Sequence, residues 1–66
     1  MTVAEVKERL REIAAKRGDD ENAHGMEDEL HQDVLRAVAE GRCSDAAGCA
    51  AEALKSLDID FARWCA

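Results

Sequence analysis

Between residues 23 and 40 the chain reads AHGMEDELHQDVLRAVAE, and its apolar side chains recur at the spacing of one helix face. Ala23, Glu27, Leu30, Val34, Ala37 and Gly41 share a seam at roughly 3.5 residues per repeat, with Met26 and Val38 beside it. This helix is the axis on which the rest of the chain must pack. One member breaks the pattern: Glu27 stands where the period calls for an apolar group. His24 and His31, one turn to either side, flank the same stripe.

No proline interrupts the 66 residues, and alanine recurs from Ala4 to Ala66, so helix propensity is high throughout. Thr2 and Glu5 have the spacing of a capping box, and Val3, Val6, Leu10, Ile13 and Arg17 continue in register behind them. A first helix is predicted over 3–17, stopped by a left-handed Gly18. Asp19 or Asp20 caps a second over 21–40, frayed as far as Met26 by Gly25 and ended at Gly41. The short turn at 18–20 sets these two helices antiparallel, which would aim Glu27 at helix one.

Ser44 or Asp45 caps a third helix over 45–57, in which Leu54 and Leu57 are expected to fill the lower core while Gly48 permits close contact. The segment DIDFARWCA predicts a terminal helical turn at 60–65 that projects Phe61, Trp64 and Cys65, with the two aromatics closing the open end of the bundle. The expected fold is all-α: residues 1–66 form one domain, a small three-helix bundle with a short C-terminal turn. A chain of this size buries only about 60% of the surface its unfolded form exposes, so its core is thin and a homodimer would supplement it.

Three cysteines, Cys43, Cys49 and Cys65, fit reduced thiols better than a disulfide framework, and Cys49 reads as a small buried hydrophobe. No run approaches the roughly 20 apolar residues of a membrane span, and the charged start lacks a signal-peptide core, so the expected location is the cytoplasm with no membrane partner. The formal charge is -6, and the acids Asp19, Asp20, Glu21, Glu27, Asp28, Glu29 and Asp33 fall in a stretch with no lysine or arginine. Nucleic acid is therefore an unsuitable partner, since phosphate contact needs a basic face. A protein partner is the expectation.

Two segments, DDENAHGMEDELHQDVLRAVAEG and LDIDFARWCA, together resemble a group of short uncharacterised proteins of actinobacteria and their phages. In that group an acidic A-H-x-x-E-D-x-L helix precedes a closing I-D-F-x-R-W-C. His24, Glu27, Asp28 and Leu30 match the first pattern, and Phe61, Arg63, Trp64 and Cys65 match the second. The resemblance covers about the last two thirds of the chain. It implies a phage-type accessory protein and no assigned activity.

His24, Glu27, Asp28 and His31 form H-x-x-E-D-x-x-H on adjoining strips of one helix. A divalent metal could use such a set in a dimer, although di-metal bundles require more carboxylates than one helix supplies. No cysteine–histidine pair is placed for nucleophilic catalysis, and a bundle this small has little room for a substrate cleft, so no enzyme and no cofactor are expected. The leading reading is a protein-interaction module using the acidic helix or the aromatic tail. A metal-dependent dimer built on His24, Glu27 and His31 and an acidic nucleic-acid mimic are the alternatives. A buried Glu27 needs a cation or donor: His31, His24, an arginine of helix one or Arg63.

Overall fold

The computed structural model describes residues 1–63. Three α-helices and a 3-10 turn follow in order: α1 (Val3–Ala15), α2 (Asp20–Ala39), α3 (Ala46–Leu54) and η1 (Lys55–Asp58). The chain is all-α, as its unbroken helix propensity predicts. Among the described residues, no helix is long and apolar enough to cross a membrane.

Each helix begins on a side chain that satisfies an otherwise orphaned backbone N–H. Thr2 Oγ1 accepts from Glu5 N at 3.2 Å, Asp19 Oδ1 from Asn22 N at 3.2 Å and Asp45 Oδ1 from Gly48 N at 2.9 Å. Helix α2 starts at Asp20 and runs without a break through Gly25, so the expected fraying is not seen. It stops in a Schellman arrangement: Gly41 has φ +70, Arg42 N donates to Ala37 O at 2.8 Å, and Gly41 N donates to Val38 O at 3.2 Å. Gly41 is the only glycine of positive φ among the described residues. The left-handed stop expected at Gly18 is therefore corrected: α1 ends at Ala15 and relaxes through turns in which Lys16 N donates to Ile13 O and Arg17 N to Ala14 O.

The Met1 carbonyl accepts from Ser44 N at 3.1 Å, and Arg9 pairs with Asp33 at 3.1 Å. The start of α1 thus lies beside the end of α2, and the two helices are antiparallel. Val6 and Ile13 of α1 meet Ala23, Leu30 and Val34 of α2 in a core completed by Cys49, Ala53 and Phe61. The predicted seam of α2 is the buried face: Ala23, Glu27, Leu30, Val34 and Ala37 are all buried, and only Gly41, already in the turn, is exposed.

The C-terminal third departs from expectation. Helix α3 gives way to η1 after Leu54, and its inward side chains are Cys49 and Ala53, followed by Ser56 on η1. Leu54 and Leu57, expected in the lower core, are 61% and 56% exposed. Small inward residues let α3 approach closely, which leaves no space for the leucines on that side. Gly48 serves the cap more than any helix contact, since a Cβ there would overlap the Asp45 carboxylate. Residues 60–63 are not helical; Ile59 is already extended, so the expected turn at 60–65 is absent over its described part. Phe61 still enters the core at 8% exposure. The expectations for Trp64 and Cys65 lie outside the described residues.

Candidate functional site

Glu27 is the charged residue of the core, 3% exposed on the inner face of α2. A lone carboxylate there would be costly, and the non-helical segment after η1 supplies the compensation. Arg63 Nε donates to Glu27 Oε1 at 2.8 Å and Nη2 to Oε2 at 3.1 Å, a two-pronged pair that suits the guanidinium plane. The same guanidinium gathers the segment around itself. Nη2 also donates to the Ser56 and Ile59 carbonyls at 2.8 and 2.9 Å, Nη1 donates to the Phe61 carbonyl at 3.2 Å, and the group stacks 3.9 Å from the Phe61 ring centre. Of these acceptors the Phe61 carbonyl belongs to the non-helical stretch 60–63, where no helical ladder occupies it and it accepts from Arg63.

Burial pushes the Glu27 carboxyl up. The Arg63 hydrogen bonds, helped by the Ser56 hydroxyl and by the charges of Arg63 and His31, outweigh it and hold the group below its ordinary range. Arg63 is raised in turn, first by its hydrogen bond to Glu27 and against the opposing effect of burial. Glu27 was expected to face helix one, but its bonded partner comes from the far end of the chain.

The remaining predicted residues separate. His24 Nδ1 lies 3.5 Å from Asp28 Oδ2, one turn along the same helix. His31 Nε2 is 2.8 Å from Ser56 Oγ and 3.3 Å from the Ala53 carbonyl. Only an Nε2 that carries a proton can bond a carbonyl, so His31 donates to the Ala53 carbonyl and to Ser56 Oγ. His24 and Asp28 thus pair with each other, while Glu27 binds Arg63 and His31 binds Ser56 and the Ala53 carbonyl. Among the described residues no group of three or more His, Cys, Asp or Glu could hold a metal ion.

Much of the acidic run has structural work. Asp19 caps α2, Asp20 Oδ1 accepts from Ala62 N at 3.2 Å, Glu27 binds Arg63, Asp28 meets His24, and Asp33 meets Arg9 and Arg36. Pattern reading at the sequence level did not single out Ser56, which is fully buried between His31 and Glu27. In LKSLD it resembles any surface serine, and no local signal marks it.

The outer side of α2 and α3 is different in character. His31, Val34, Leu35, Ala50, Ala53 and Leu54 line an open groove of about 250 Å³. Leu35 is 70% exposed at its edge and Leu54 61%, and Val38 at 41% and Leu57 at 56% are further large aliphatic side chains left outside. Leu35 could have been found by noting that it lies off the seam set by Leu30, Val34 and Ala37. Leu54 could not, because every face of α3 is alanine-rich. No protein-family model matches the chain, and no curated protein or solved structure matches it either.

Proposed function

We propose that this chain is a small protein-interaction module whose docking face is the α2–α3 groove, and that its occupant is the apolar ridge of a partner helix. The supporting observation is the exposure of Leu35 and Leu54 on the two walls of that groove. A chain this short has few large aliphatic side chains, and leaving them in water beside a groove favours a surface that another protein covers. Two walls built on helices suit side chains spaced three and four residues apart on an incoming helix. The resemblance to short actinobacterial and phage proteins extends this reading to an accessory protein of phage type. The Glu27–Arg63 pair sits on the inner side and acts as scaffold for the face. The decisive experiment is capture from an actinobacterial lysate with the wild-type chain and with Leu35→Asp and Leu54→Asp. A partner held by the wild type and released by both variants, at unchanged helix content, supports the module; a partner held equally by all three removes the groove from it.

The same groove could take a second copy, a reading supported by the thin core. Sedimentation at micromolar concentration would then give a species heavier than the 7.2 kDa chain, reduced to monomer by Leu35→Asp. A wild-type monomer at all accessible concentrations excludes it.

A further inference from the structure

Cys43 and Cys49 lie on either side of the cap that opens α3, and the N-terminal residue draws them together. The Met1 carbonyl accepts from Ser44 N at 3.1 Å, directly after Cys43, and from the Cys49 thiol at 3.8 Å. The Met1 amine donates to the Arg42 carbonyl, directly before Cys43. One residue thus brackets Cys43 from both sides while touching the sulfur of Cys49. Cys43 is half-buried, packed against the core cluster to which the fully buried Cys49 belongs, and both are free thiols. We propose that Cys43 and Cys49 form an oxidisable dithiol, a modification site at which a peroxide converts the two thiols into a disulfide joining the α2–α3 turn to the first turns of α3.

The chemistry assigns the two sulfurs unequal roles. Burial above all, and then the neighbouring Cys43 thiol, push the Cys49 thiol up, so Cys49 is the poorer first nucleophile. Cys43, partly open to solvent, attacks the peroxide: the O–O bond breaks, Cys43 becomes a sulfenic acid and one water leaves. Cys49 then attacks the Cys43 sulfur, the S–S bond forms, and the sulfenic oxygen departs as a second water carrying the thiol proton. Two thiols lose two hydrogens, and one peroxide is reduced to two waters. The product ties the turn to the helix that supplies Ala50, Ala53 and Leu54 to the groove.

The test is hydrogen peroxide treatment of the full folded chain, quenching, alkylation of residual thiols under denaturing conditions, and tryptic mass mapping. Cleavage after Arg42, Lys55 and Arg63 places Cys43 and Cys49 in one peptide, 43–55, and Cys65 in another, 64–66. The expected result is a 43–55 peptide lighter by two hydrogens that takes no alkyl group, while Cys43→Ser leaves Cys49 fully alkylated after the same treatment. Alkylation of both thiols in 43–55, a Cys43 sulfinic acid beside an alkylated Cys49, or a 43–55 peptide joined to 64–66 would each overturn the proposal.

Discussion

Arg63 holds the carboxylate of Glu27 through two hydrogen bonds, at 2.8 and 3.1 Å, across 36 residues of chain. The pair closes the bundle where an apolar seam is interrupted, and it shapes the C-terminal segment by collecting the Ser56, Ile59 and Phe61 carbonyls. Removing either partner strands the other. Arg63→Ala is expected to cost about 2 to 3 kcal/mol, less than a fully buried pair because the arginine keeps 30% of its side chain exposed. Urea unfolding of the variant measures it; a change under about 0.5 kcal/mol would show the pair to be ornamental.

The same pair makes stability depend on pH. Glu27 titrates below its ordinary value in the folded state, so its contribution is present above the unfolded value of about 4.3 and is lost as pH falls through the lower, folded one. The stability gap between wild type and Glu27→Gln should therefore be full at pH 7 and shrink on acidification. A gap that widened toward low pH would reverse the sign of the argument.

Ser56, itself fully buried, receives the His31 Nε2–H. Ser56→Ala leaves that donor with the Ala53 carbonyl alone, and about 1 kcal/mol of stability should be lost. Thermal melts at pH 7 test it, and an unchanged midpoint would mean that the hydroxyl is dispensable.

Gly25 sits inside α2 with open space where a Cβ would go. Gly25→Ala should stabilise the fold by up to about 1 kcal/mol, raising Tm by about 4 to 8 °C. Gly41→Ala should do the opposite, since φ +70 is strained for any side chain. Matched melts of the two variants must shift in opposite directions.

Leu54→Asp is expected to change stability by no more than about 0.5 kcal/mol, because the side chain is already 61% exposed. Denaturant curves decide this before any binding experiment is interpreted. A large loss would return Leu54 to the core.

What the sequence determined by itself was most of what local periodicity and capping carry. Thr2 marks the first helix start, Asp19 or Asp20 and Ser44 or Asp45 narrow the next two, Gly41 marks the end of α2, and the seam from Ala23 to Ala37 marks its buried face, because each rests on chemistry within one or two turns; the stop of α1, expected at Gly18, was the exception. The conflict at Glu27 was legible for the same reason: a carboxylate on an apolar stripe is visible in one helix. Its resolution was not. Arg63 was one of several cations available to Glu27, and only the folded chain brings residue 63 back across residue 27, where its guanidinium binds the carboxylate together with the Ser56, Ile59 and Phe61 carbonyls. The tertiary structure likewise decided which face of α3 turns inward. Its alanines are nearly interchangeable in hydropathy, so the choice fell to close approach: Cys49, Ala53 and Ser56 turn inward, and Leu54, on the groove wall, and Leu57 were left outside.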